Sequence, residues 1–273
     1  MASGFDGLVH RFALSMIEGA YILAGALTGF VVGLTGVGGG AIMTPILLLI
    51  FLTPPATAIA TDLWFAAITK IVGASLHHAA GNVDWQVVKR LWWGSLPVAL
   101  FIAILMSSGT QVTNLIWLTN ALGVMVFITG VGLFIAPALR MIARHCINQP
   151  AHFNSVQSTI TVVCGGVLGL CVALTSVGAG ALGSLMLLFL YPLRMTTHRL
   201  VATDITHAIP VAVIAGSGYL FAGMVDWLML INLLIGSIPS VIVGGLLANR
   251  FSARRIQVAL SIVLIVTGVE ILL

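Results

Sequence analysis

The chain contains itself twice, and this duplication limits its folds more than any other feature. Gly33–Ala41 reads Gly-Leu-Thr-Gly-Val-Gly-Gly-Gly-Ala and returns at Ala173–Ala181 as Ala-Leu-Thr-Ser-Val-Gly-Ala-Gly-Ala, 140 residues later. Ala60-Thr61-Asp62-Leu63 returns as Ala202-Thr203-Asp204-Ile205, 142 residues later. At that same spacing Gly81-x-Val83-Asp84-Trp85 returns as Gly223-x-Val225-Asp226-Trp227, and Gly94-Ser95-Leu96-Pro97 as Gly236-Ser237-Ile238-Pro239. Four blocks in register, with one two-residue insertion, define a repeat. Residues 15–137 form the first copy and 157–273 the second, within one domain spanning 1–273.

Each copy reads as five apolar segments. They fall at 15–35, 40–52, 57–78, 85–107 and 113–137, then at 157–176, 180–191, 198–221, 227–248 and 255–272. Only 7% of the 273 residues are charged and 60% are hydrophobic, against about 25% charged in a soluble domain. Lipid is the solvent that suits such a chain. A spanning helix needs about 20 apolar residues, so the second segment of each copy is too short. It is expected to pair with its predecessor as a broken or re-entrant hairpin, with the glycine motif at the tip.

Apart from Lys70, the basic residues are scattered between the segments or at their ends and form no basic face, which argues against nucleic acid despite the formal charge of +4. Lys89 and Arg90, Arg140 and Arg144, Arg194 and Arg199, and Arg250, Arg254 and Arg255 all occupy connections of one parity. The positive-inside rule makes those connections cytoplasmic. Both termini then lie outside, with Arg11 a mild exception. An odd number of segments per copy inserts the two copies in opposite orientations, a plan common among secondary transporters. The expected fold is therefore an all-α polytopic membrane protein of two inverted repeats, each with one short helix. The expected location is the cell membrane, as a multi-pass protein of the bacterial inner-membrane type.

The leading candidate site is the duplicated glycine motif. Its residues are Thr35, Gly36, Gly38, Gly39 and Gly40, matched by Thr175, Ser176, Gly178, Ala179 and Gly180. Glycine lets a ligand approach the backbone closely. A helix starting there directs unpaired N–H groups and its positive end at the tip, which suits an anion. The alternative reading is close helix packing through small residues.

The second candidate is the ionisable set in the apolar segments: Asp62, Lys70, Asp204 and His207. Such groups are expensive in lipid and point to a pathway or relay, although each aspartate could instead cap its helix. Lys70 reads either as the partner of Asp62 or as an attractor for anions. Asp204, with His207 one turn on and no lysine close in sequence, reads as the better proton carrier.

Other polar residues read as structural. Asp84 and Asp226 are expected to cap the fourth and ninth segments, and Pro97 and Pro239 to kink them. His77, His78, Trp85, Trp92 and Trp93 read as an interfacial belt. His198 and Arg199 read as loop residues. Cys146, Cys164 and Cys171 lack metal-ligand spacing, and neither a metal nor any other cofactor is expected.

Gly36-Val37-Gly38-Gly39-Gly40 with Pro45, the helix start at Thr61, the stretch from His77 to Trp85 and the second copy of this layout together resemble the sulfite exporter TauE/SafE family, also called TSUP. The resemblance covers nearly the whole chain. It implies transport of small sulfur-containing anions such as sulfite, sulfonates or thiosulfate, without ATP hydrolysis. The chain departs from the family's usual Thr-Ser-Leu helix start, reading Thr61-Asp62-Leu63 and Thr203-Asp204-Ile205. Ala179 also stands where the first motif has Gly39. The acids raise the prospect of proton coupling. The rival readings are a passive anion channel and an intramembrane enzyme; the latter lacks a His-x-x-x-His pair or a Gly-x-Ser-x-Gly elbow. The expected partners are a small anionic substrate and lipid, with a homo-oligomer left open.

Overall fold

The computed structural model describes residues 2–35, 40–78, 83–108, 115–145, 153–178, 180–191, 195–250 and 253–273. Among them the first copy forms helices α1 (Ala2–Thr35), α2 (Gly40–Leu49), α3 (Pro55–His78), α4 (Trp85–Ser107) and α5 (Leu115–His145). The second forms α6 (Phe153–Thr175), α7 (Ala181–Leu190), α8 (Thr197–Phe221), α9 (Trp227–Leu247) and α10 (Ala253–Leu272). No strand occurs among the described residues. Eight of the helices are long and apolar enough to cross a membrane. α2 and α7 have 10 residues each, about 15 Å, half of a hydrocarbon core of about 30 Å.

The helices extend beyond the apolar segments at two places. α1 begins at Ala2 and α5 continues to His145. Ala138, Leu139, Arg140, Met141 and Ala143 are strong helix formers, so the helix does not stop where hydrophobicity does. His198 and Arg199, expected in a loop, instead belong to the first turn of α8, whose N-cap is Thr196.

The copies interlock through matched contacts. Gly29 of α1 lies on Ser237 of α9, and Gly169 of α6 lies on Ser95 of α4. A Cβ at either glycine would come within 2.6 Å of the serine carbonyl oxygen. Gly25 similarly meets Leu233, and Gly165 meets Leu91. At these positions only hydrogen fits, so the glycines bring two helix backbones together. α1 and α9 run parallel, as do α4 and α6. α5 and α10 run antiparallel, with Gly123 against Leu272, Phe127 against Gly268 and Leu133 accepting from Gln257 Nε2 at 3.0 Å.

The course of α7 follows from these directions. His207 of α8 meets Trp92 and Ser95 of α4, and further along Gly218 meets Ala103, so α8 is parallel to α4 and hence to α6. Two parallel helices joined in sequence require the chain to come back between them. α7 is that return stroke. Being half length, it leaves irregular backbone at depth, which is tolerated only when protein covers it. Ser176, Val177, Gly178 and Gly180 are all buried. Ser176 at φ 58°, Gly178 at φ 115° and Gly180 at φ 128° reverse the chain in the left-handed region. At the far end, the Gln157 side-chain amide donates to Leu190 O.

Asp84 and Asp226 cap α4 and α9 as expected, accepting from Val87 N–H at 3.4 Å and Met229 N–H at 3.0 Å. Pro97 and Pro239 lie inside those helices.

Candidate functional site

α3 and α8 carry the ionisable groups into the protein interior. Asp62, Lys70, Asp204 and His207 are each at most 3% exposed. Asp62 follows Pro55 by seven residues and Asp204 follows Thr197 by seven. Both are thus well inside their helices, and the capping alternative does not apply to them.

Each carboxylate faces the short helix of its own copy. The Thr44 hydroxyl, in α2, donates to Asp62 Oδ2. Asp204 lies against the first turn of α7. A Cβ on Gly183 would overlap Asp204 Oδ1, and the Gly180 backbone N–H faces the carboxylate without reaching hydrogen-bond geometry. The Ser176 hydroxyl, from the second glycine motif, faces Asp62. The tip between α6 and α7 therefore touches both acids.

Lys70 belongs to both carboxylates. Sequence spacing paired it with Asp62 and left Asp204 without a lysine. In the structure its ammonium interacts electrostatically with Asp204 and, less strongly, with Asp62. The reason is tertiary: α3 and α8 lie antiparallel, with Trp64 Nε1–H donating to Gly216 O at 3.1 Å. The long lysine side chain reaches from α3 to the early turns of α8. His207 faces the same cation.

Two members escaped the sequence reading. Ser95 Oγ and His207 Nε2 are 2.9 Å apart, and Trp92 Nε1–H donates to His207 O at 3.2 Å. Trp92 thus turns inward rather than joining the belt, while Trp85 and Trp93 are exposed. The repeat could have flagged Ser95, because Ser237 occupies the matching place, but the match of His207 is Phe65, so only one copy builds this contact. Several buried polar atoms here make no hydrogen bond: Asp62 Oδ1, Ser176 Oγ, both Asp204 oxygens and His207 Nδ1.

The glycine-motif expectations divide. Thr35 and Thr175 turn back onto their own helices, donating to Val31 O at 2.8 Å and Cys171 O at 2.7 Å. Ser176, Gly178 and Gly180 form the buried tip described above. Gly40 begins α2. Gly36, Val37, Gly38, Gly39, Gly81 and Ala179, with the side chains of His77 and His78, lie outside the described residues.

Eight apolar helices enclosing a buried ionisable cluster between two half-length helices define a multi-pass membrane protein with an internal polar site. The chain belongs to the TauE/SafE family: the family model described as "Sulfite exporter TauE/SafE" matches residues 21–271. It is similar to the "Probable membrane transporter protein YjnA" of Bacillus subtilis (strain 168), 33% identical over 254 residues, covering 92% of this chain and 98% of that protein. The "Probable membrane transporter protein YdhB" of the same organism is 27% identical over the same coverage. A "Probable membrane transporter protein" of Xylella fastidiosa (strain 9a5c) is 25% identical over 85% of each chain. No solved structure matches it significantly. The chain is a membrane transporter.

Proposed function

We propose that this transporter is a secondary carrier of a small oxyanion, of the sulfite or sulfonate type, and that its two copies insert in opposite orientations. The observation that carries the reading is Lys70, buried and facing both Asp62 and Asp204, with Asp204 itself lying against the first turn of α7. A buried cation and a helix N-terminus both favour anions, and intramembrane charges mark transport pathways. The antiparallel course of α5 and α10, matched helices of the two copies, supports opposite insertion, as does the placement of the basic connections. The description of the family model names sulfite.

Counterflow in proteoliposomes tests this. Vesicles preloaded with unlabelled sulfite or methanesulfonate are expected to accumulate the labelled anion transiently and saturably. Lys70→Met is expected to abolish that uptake while the protein remains monodisperse. Linear, non-saturating flux without counterflow would indicate a channel instead. Retention of full uptake by Lys70→Met would remove the cation from the site.

A further inference from the structure

Asp204 lies against the N-terminal turn of α7. Its side chain is 1% exposed and both oxygens lack hydrogen bonds. The carboxylate nonetheless presses on the first turn of α7, where glycine is required at 183 to make room. Gly180, the N-cap residue of α7, supplies no side-chain cap, and its N–H faces the same carboxylate. The Gly183 and Ser184 amides already bond to Gly178 O and Gly180 O at 3.1 Å, so what α7 still offers is its N-terminal amides and positive end. Asp62 is held differently, because the Thr44 hydroxyl satisfies one of its oxygens.

We infer that the Asp204 carboxylate is a built-in anion that competes with the substrate for the N-terminus of α7, so that substrate binds when Asp204 takes up a proton. This rests on the carrier reading above. The step is a proton transfer and a ligand exchange. One proton binds an Asp204 oxygen, the neutral carboxyl no longer holds the helix end, and one external anion replaces it. Among the described residues the charged group facing Asp204 is Lys70 of α3, and Lys70 in turn faces Asp62 on α3 and His207 on α8. With His207 neutral, ionised Asp62, Asp204 and Lys70 carry a net charge of −1. A proton plus a monovalent anion leaves that charge unchanged, whereas a divalent anion would add another negative charge to a buried site. The substrate class is therefore a monovalent oxyanion, moved with one proton in an electroneutral step.

Methanesulfonate and nitrate test this well, because their own charge stays fixed across the working pH range. Binding is measured calorimetrically on the full-length protein in detergent between about pH 5.5 and pH 8.5. Wild-type affinity is expected to fall as pH rises, approaching about tenfold per pH unit once Asp204 ionises, since one proton is linked to binding. Asp204→Asn keeps the shape without the charge. Its affinity is expected to lose that pH dependence and to exceed wild type by about tenfold or more at the alkaline end. Should the variant not fold, the wild type decides in proteoliposomes: an inward acid gradient should drive methanesulfonate uptake, and a valinomycin-clamped potential should not change it. An Asp204→Asn protein with the wild-type pH slope, or wild-type uptake that follows voltage and ignores pH, overturns the inference. Wild-type binding that is the same at every pH overturns it and leaves the carrier reading standing. Failure of the wild type to bind either probe at any pH overturns both.

Discussion

The backbone N–H of Asp226 donates to Thr61 Oγ1 at 3.2 Å, and the repeat reproduces this bond in reverse: the N–H of Asp84 donates to Thr203 Oγ1 at 3.0 Å. Each threonine sits one residue before a buried acid, and each amide belongs to the N-cap of a helix in the other copy. The two copies are thus tied to each other at the residues adjoining the site. Thr61→Val and Thr203→Val keep side-chain volume and strand the partner amide. Each is expected to cost about 1 kcal/mol. Thr203→Val should cost more, because its bond is fully buried and that of Thr61 only partly. Reversible unfolding in mixed micelles measures both; an unchanged midpoint for Thr203→Val would show the tie contributes nothing.

The glycine seams make a second prediction. Gly29→Ala and Gly169→Ala each drive a methyl into a backbone carbonyl across α1–α9 and α4–α6, whereas nothing lies within 4 Å of a Cβ at Gly19. The first two variants are expected to lower folded yield and midpoint by similar amounts, since the contacts match. Gly19→Ala should be neutral or stabilising by up to about 1 kcal/mol through helix propensity. Size-exclusion profiles and melting curves of the three variants check this. Equal behaviour of Gly29→Ala and Gly19→Ala would mean the seam can relax.

Opposite insertion predicts that matched positions face opposite sides of the membrane. Gln86 and Leu228 are such a pair, both exposed in the first turns of α4 and α9. With the native cysteines replaced, Gln86→Cys is expected to react with a membrane-impermeant maleimide from the cytoplasmic side, and Leu228→Cys from the outside. Labelling of both from one side would contradict it.

The sequence carried the ten segments and the two short ones, with most ends within a few residues and the start of α1 and the end of α5 missed, because hydrophobic periodicity and the glycine motifs mark the apolar stretch of each helix and not its polar extension. It also carried the caps at Asp84 and Asp226, which rest on local spacing. It did not carry the partnership of Lys70 with Asp204 or of Ser95 with His207. Those depend on α3 lying antiparallel to α8 and α4 parallel to it, and no local pattern encodes how two helices are juxtaposed. Trp92 was misplaced for the same reason: an indole in the first turns of a spanning helix suits the interface equally well until a carbonyl from α8 is found beside it.

The two N-caps match in backbone but differ in charge environment, and this gives the last prediction. Arg199 Nη2 lies 3.5 Å from Asp84 Oδ2, the arginine side chain 41% exposed and the aspartate 4%. The repeat places Thr57 where Arg199 stands, so Asp226 has no matching arginine. A largely exposed guanidinium is worth little by itself, but removing it leaves a buried carboxylate with fewer partners. Arg199→Gln is therefore expected to destabilise the protein. Asp84→Asn keeps an oxygen able to cap α4 and removes the charge, so the double variant should be no worse than Arg199→Gln alone. A coupling of about 1 kcal/mol between the two positions is expected from a double-mutant cycle, shrinking at high salt. The corresponding cycle between Thr57 and Asp226 should give none. Additive effects of Arg199→Gln and Asp84→Asn would show that the contact is geometric only, and the two N-caps would then be equivalent in energy as well as in shape.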